Sequence, residues 1–445
     1  MSDTSVQTAP AAPGSAAAVP PIEAPPVRPP ISPAYRALRA VASLRLTVVL
    51  FVLSLLLVFF GTLAQIDVSI WTTVEKYFRS GLVWVPWQLL VKFGQKFFWL
   101  PSTLQMSGTF PFPGGWLLGT LLLINLLAAH LVRFKVSWKR AGILLIHGGL
   151  ILLMLGELVT GLFALESRLT LAIGEKVNFL DVSQKNELAI TTADPDDATH
   201  DRVVVVPDRL LHRPGRVSDD RLPFDIEVIE YWKNTNLVPG APHGKPVANA
   251  RRTVDGQVYG LVPDAETAGV DTEGRDDIPA VKVAFYRKGA DEKLGEAVLS
   301  LWYYPNKVNR TIEFPPQTVA LDGRTYTVDY RPVRVYRDYQ LTLKEFKHDK
   351  YLGTSTAKNF SSLVELQAAD GERREIKIFM NHPLRHAGET FYQSGYFPDN
   401  SGTILQVVRN PGWLLPYLSC AIVTLGMAIH FSTALVHFLS RRATS

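Results

Sequence analysis

Four stretches of the chain are long and apolar enough to cross a bilayer, residues 46–64, 116–132, 141–163 and 413–439, since about 20 such residues span the hydrocarbon core. The first three crowd together and the fourth lies near the C-terminus, with a long polar segment between. This spacing predicts four membrane-spanning helices and one large water-exposed domain at 164–410. Inside that segment the pattern shortens to alternating or β-branched runs at 168–173, 202–206, 224–231, 281–286, 326–336, 363–366, 376–380 and 403–408, with Gly, Pro, Asn and Asp between them. A mostly β domain, sandwich or barrel-like, is the expectation. Residues 233–277 are poor in such runs and read as loop or insertion. In the loop at 65–115, residues 83–100 mix aromatics with Pro86, Lys92 and Lys96. That stretch fits an interfacial helix or a packed re-entrant element, and periodicity does not separate the two.

The third apolar run, AGILLIHGGLILLMLGELVTGLF, carries a histidine and a glutamate. Ionisable groups at membrane depth are costly, and their presence points to a functional site or pathway, the plainer reading being an interhelical hydrogen bond. Winding at about 100° per residue puts Gly142, Gly149, Gly156 and Thr160 on one side and His147, Met154 and Gly161 nearly opposite. The small side invites close helix packing. His147 then faces another helix, a partner or a cofactor, about 9 Å from the start of the run, with Glu157 near the far surface. In the fourth run Ser419, Gly426, His430, Thr433 and His437 share one face. A helix ending near Leu439 places His430 about 13 Å from that end, at a depth similar to His147. Two neutral imidazoles at one level of a bundle are suited to haem iron, so His147 and His430 are the candidate cofactor nitrogens, with His147 as the metal ligand. His437 reads as interfacial, as does His130 beside Arg133, which also suits a phosphate.

Overall composition, 47% hydrophobic and 20% charged over 445 residues, does not by itself separate soluble from membrane proteins. The single cysteine, Cys420, lies in the fourth run and excludes an internal disulfide, a Cys-x-x-Cys pair and a cysteine cage for metal. Residues 1–33 are rich in Pro and Ala and read as a disordered extension; three spans follow in 34–163, and 411–445 holds the fourth span with a short tail. Arg36, Arg39 and Arg45 precede a run too long for a signal peptide, which reads as a retained anchor. With Arg133, Lys135, Lys139 and Arg140 between spans two and three, and Arg441 and Arg442 after span four, the basic clusters share one side. Both termini are then expected in the cytoplasm and the large domain outside it. His382 and His386 flank Pro383 ahead of Gly388, a turn rather than a zinc-binding helix. No P-loop, Gly-x-Ser-x-Gly elbow or dinucleotide fingerprint is present.

Three segments, with a strand upstream of the last, resemble the ResB (CcsB) family, membrane subunits of the system II machinery that attaches haem to cytochromes c. ASLRLTVVLFVLSLLLVFFGTLAQ is similar to the family's first span, with Ala64 in place of the usual Pro before Gln65. LLLINLLAAHLVRF and the His147 helix resemble its second and third spans, with Asn125 in place. MNHPLRHAGETFYQSGYFPD is similar to the box before its last span, and Asn359-Phe360-Ser361-Ser362-Leu363 to a strand upstream. The resemblance implies a bacterial inner-membrane protein that binds haem b transiently and works with a ResC/CcsA-type partner. It further implies delivery to apocytochrome c, with a thioredoxin-like thiol reductant as an additional partner and no nucleic acid. His147 matches the family's third-span histidine implicated in holding haem; nothing in the family transfers to His430. As for catalysis, the implied role is a non-catalytic or co-catalytic subunit of a holocytochrome c synthase. Tyr392 and Gln393 are expected to help dock the β domain on the membrane part. The Pro-rich extension, the altered span-one exit and the variable region at 233–277 depart from the family. Two other readings stay open: a haem-free membrane-anchored scaffold whose β domain binds an extracytoplasmic partner, and a b-type redox subunit.

Overall fold

A computed structural model describes residues 32–133, 137–197, 199–240, 249–270, 276–304, 312–350, 353 and 357–443. The proposed extension therefore lies outside the described residues up to position 31. At its expected end the Ser32 side chain accepts from the Tyr35 N–H and Pro33 opens a helix.

The membrane part contains α1 (Pro33–Val41), α2 (Leu44–Ala64), the single turn α3 (Ile70–Thr73), β1 (Leu82–Pro86), α4 (Trp87–Phe97), β2 (Thr109–Pro113), α5 (Gly115–Arg133) and α6 (Ala141–Phe163). The polar segment folds as β3 (Leu165–Ala172), β4 (Lys176–Ala193), β5 (Asp201–Pro207), β6 (Gly215–Val217), β7 (Phe224–Trp232), β8 (Thr235–Pro239), β9 (Arg251–Arg252) and β10 (Val258–Pro263). It continues through β11 (Ala280–Arg287), β12 (Lys293–Ser300), β13 (Thr318–Leu321), β14 (Arg324–Lys350), β15 (Ala357–Ala368), β16 (Arg373–Phe379), β17 (Leu384–His386), β18 (Glu389–Tyr396) and β19 (Gly402–Arg409), and α7 (Leu415–Ala443) closes the chain.

Four of these helices, α2, α5, α6 and α7, are long and apolar enough to cross a membrane. They flank the β domain as the hydropathy pattern predicts, and this is a membrane protein with four candidate spans. Residues 83–100 divide differently from the expected single element. Pro86, which cannot donate within a helix, ends β1, and β1 pairs antiparallel with β2. Only then does α4 begin. It buries Leu89, Val91 and Gly94 and sets Phe93 edge-on against Phe59 near the end of α2 at 5.1 Å. At its end Phe97, Phe98 and Trp99 stand exposed, Trp99 at 90%, an arrangement suited to an interfacial aromatic anchor.

The β domain is both sandwich and barrel. Ten strands form one sheet whose main path runs β16-β15-β14-β4-β3-β19-β18-β17, and the ends nearly meet through a bridge between Phe379 and His382. β14 and β4 are long enough to serve two cores, and their pairing shifts register after Pro332 and again after Tyr336, where bulges bend a sheet. On one side of the bends, β4, β5, β13 and β14 face the separate sheet β12-β11-β7-β6 over Leu188, Phe224, Val283, Phe285 and Val328. On the other, the near-closed barrel encloses Leu171, Leu341, Val364, Ile378, Phe391 and Leu405. The region 233–277 is not all loop. β8, β10 and β9 make a small sheet there, with Pro239 and Pro263 ending its strands and masking the alternation; residues 241–248 and 271–275 lie outside the described residues.

Candidate functional site

The glycine spacing of α6 decides which way its histidine looks. Gly142, Gly149 and Gly156 are its buried residues, and each lies against α7. A Cβ on Gly142 would meet the His430 backbone nitrogen at 2.7 Å, one on Gly149 the Val423 Cγ2 at 2.6 Å, and one on Gly156 the Leu415 Cβ at 2.9 Å. The matching positions on α7 are Ser419 and Gly426, the two it buries. Small residues on both helices let the backbones approach this closely.

His147 therefore points away from α7, and the structure brings it to His130 of α5. The two rings meet edge to face with centroids 5.1 Å apart. Each Nδ1 lies on the carbonyl four residues earlier, His130 on Leu126 at 2.8 Å and His147 on Ile143 at 2.9 Å. A carbonyl only accepts, so Nδ1 carries the hydrogen in both rings and Nε2 is the lone-pair nitrogen. An imidazole with Nδ1–H held by a carbonyl and Nε2 presented is oriented as metal-ligating histidines are. The seam between α5 and α6 thus brings His147 together with His130, a residue that by sequence stands at a helix end beside Arg133.

His430 is placed elsewhere. Its backbone sits against Gly142, five residues before His147, hence about 7 to 8 Å along α6 and roughly 140° around it. α7 runs on to Ala443 and does not end near Leu439, and residues 431–443 pass beyond the start of α6 with every described side chain exposed. His430 and His437 are themselves exposed, and His430 touches Phe431 with centroids 5.7 Å apart. Cys420 is a free, exposed cysteine on α7.

Asn125, the position shared with the resemblance, is 3% exposed in α5. Its amide donates to the Val41 carbonyl at 2.6 Å and accepts from the Thr47 hydroxyl at 2.7 Å. It satisfies the backbone at the break between α1 and α2 and so fixes α5, with His130 five residues on.

The box before the last span is mostly internal bracing. Gln393 accepts from the Ser362 hydroxyl at 2.6 Å and donates to the Gly395 carbonyl and to Thr403, so the two motif segments in the β domain hydrogen-bond to each other. Glu389 is 3% exposed and receives both the Arg337 guanidinium and the Tyr339 hydroxyl. From the same box Arg385 reaches toward the last span, its guanidinium 5.1 Å from the Trp413 ring centre just ahead of α7. His382 stacks on Phe379 and His386 meets Tyr339 edge-on. Among the described residues no cluster of three or more His, Cys, Asp or Glu suits a metal.

Between the membrane part and the β domain lies a cleft of about 1920 Å³, floored by Thr160, Gly161 and Leu162 at the end of α6 and walled by Trp71, Glu75, Arg79, Tyr231 and Trp302. The walls are tied across the junction. Lys233 donates to Thr72 at 2.6 Å and pairs with Glu266, Gly269 N–H donates to the Val68 carbonyl at 2.9 Å, and Asn410 bonds Thr160 at 3.2 Å. In the wall, burial and the Asp208 carboxylate push the Tyr231 phenol far above its ordinary value.

Comparison with known proteins agrees with the resemblance. Residues 317–402 match the model of the ResB-like family, a stretch that runs from β13 through β18 and includes Ser362, Glu389 and Gln393. Protein NrfI of Wolinella succinogenes is 32% identical over 112 residues, 25% of this chain and 12% of that protein, so the match spans only a small part of the relative's length. The bracing of Ser362 by Gln393 and Thr403, and of Glu389 by Arg337 and Tyr339, is thus the physical content of the matched segment, residues 317–402, over which this chain is similar to the ResB-like family.

Proposed function

We propose that the chain is a ResB-like subunit of a system II cytochrome c synthesis complex, holding haem b transiently within the membrane at His147 and helping deliver it to apocytochrome c on the extracytoplasmic side. A ResB-like domain implies a role in system II cytochrome c biogenesis; the haem site is the added step. One observation carries it: an imidazole inside a candidate span, turned away from the helix its own glycines pack against, with Nδ1–H committed to Ile143 and Nε2 as the lone-pair nitrogen.

The cargo suits the surroundings. Haem is apolar with two anionic propionates, and Arg133 and Arg140 flank the end of the α5–α6 seam where the two histidines lie; Lys135 lies outside the described residues. Thr160 lies thirteen positions after His147, about 20 Å of helix, and floors the cleft beneath the β domain. Haem taken up at the basic end of α6 and released at its other end would arrive in that cleft. In this reading the basic ends of the helices and both termini are cytoplasmic and the β domain is extracytoplasmic. A ResC/CcsA-type subunit supplies the rest of the haem path, and any thiol reduction belongs to a thioredoxin-like partner because Cys420 is the chain's one cysteine. His430 is a second candidate nitrogen that haem would meet only from outside the α6–α7 pair.

The visible spectrum of the full-length protein, purified from cells that make cytochromes c, tests the reading. A Soret band is expected. Its absence favours a haem-free scaffold, and a band that cycles with quinol favours a redox subunit.

A further inference from the structure

We infer that His130 is a positioning residue for His147: its ring fixes the orientation in which His147 presents Nε2. The inference rests on the haem reading above and adds a residue to it. His130 comes from a different helix, and its ring meets that of His147 edge to face at 5.1 Å, a preferred geometry for ring pairs. That contact would leave no slot for a porphyrin plane between the rings, so His130 would orient His147 and not itself hold the iron. It acts as a stop. His130 is itself locked, with Nδ1–H on the Leu126 carbonyl and Nε2 buried, and its helix is pinned five residues earlier by Asn125 on Val41, Ser43 and Thr47. A histidine on a helix otherwise has several side-chain rotamers. With the His130 ring against it, His147 is held in the one that keeps Nδ1–H on Ile143 and aims Nε2 away from α7. A ligand held in place before its iron arrives loses less freedom on binding.

The test compares His130→Ala, His130→Phe and His147→Ala in the full-length protein, reading haem retained per protein, the position and width of the Soret band, and protein level in the membrane. His130→Ala should retain roughly 2- to 12-fold less haem, the range an edge-to-face ring contact is worth, with a broadened band and normal protein level. His130→Phe restores a flat ring without a nitrogen and should return both readouts to near wild type. If His130→Ala matches wild type while His147→Ala loses haem, the positioning role is wrong and the haem reading stands. If His130→Phe is as poor as His130→Ala at equal protein level, the nitrogen is what counts and positioning by packing is overturned. Full haem in His147→Ala overturns both.

Discussion

Glu389 shows how much a single residue of the matched segment carries. Its carboxylate is 3% exposed and is held by Arg337 and Tyr339, and Arg337 is in turn raised above its ordinary range by that hydrogen bond. Removing one member of a buried ion pair strands the other and costs about 3–5 kcal/mol. Glu389→Ala should therefore lower the thermal unfolding midpoint of the detergent-purified protein sharply, whereas Glu389→Gln, which keeps the shape and still accepts from Tyr339, should lose less; equal midpoints for Ala and wild type would contradict the bracing role. His147 was legible in the sequence because an ionisable residue within an apolar run announces itself. His130 was not, because in one dimension it stands beside Arg133 at a helix end and only the packing of α5 against α6 brings it to His147. Asn125 was visible only as a familiar position, since its partners lie some 80 residues away.

The elements were read with uneven success for a reason that lies in their patterns. The seven-residue recurrence of Gly142, Gly149 and Gly156 foretold a packing face, and α7 occupies it. Gly142→Val places side-chain atoms against the α7 backbone, with the first carbon already 2.7 Å from the His430 nitrogen and 2.8 Å from the Gly426 oxygen. Overpacking of this kind costs about 1–3 kcal/mol, so membrane protein level and thermal stability should fall. Gly148→Val is the control, because nothing lies within 4 Å of its Cβ position. Equal stability of the two variants would contradict the close α6–α7 contact. Strand lengths were harder to read. β4 was missed because Ser183, Gln184, Lys185 and Asn186 interrupt its apolar alternation where it bulges, with Gln184 at φ 60°. β14 was cut short because its second half alternates Lys344, Lys347 and Asp349 with buried Leu341, Leu343 and Phe346, and charge outweighed period.

Over the whole molecule, two long strands tie a sandwich to a near-closed barrel, and Arg385 on Trp413 with Lys233 on Thr72 seats both on the membrane part. The hydropathy pattern gave the four helices and the β domain between them; it left sandwich and barrel undecided because the bends that create both depend on bulges at Pro332 and Tyr336. Stability of the β domain should be dome-shaped in pH. Lys282 and Lys293 hold the Glu296 carboxyl below its ordinary value, and Lys344 does the same for Glu365. The stability these contribute is present above the unfolded value of about 4.3 and is lost as pH falls through the lower folded values. Burial pushes the Tyr303 and Tyr304 phenols up to about 12. Their contribution is present below the unfolded value of about 10 and is lost as pH rises through the folded one. Unfolding midpoints measured across this range should fall at both ends, and a flat alkaline limb would contradict the burial of the two tyrosines. Orientation is a separate expectation. A reporter fused after Ser445 should be active only in the cytoplasm and one inserted at Gly256, an exposed turn with φ 89°, only outside; the reverse pattern would place the β domain in the wrong compartment for haem delivery.

Haem content of His147→Ala tests the central claim most directly. Alanine removes the intramembrane nitrogen without adding charge, so insertion and protein level should stay near normal. The account predicts that haem co-purifying with the full-length protein is lost, or is much reduced with a shifted Soret band, and that added imidazole restores part of it by filling the space left and supplying the axial nitrogen. Wild-type haem content together with wild-type cytochrome c levels in this variant would contradict it.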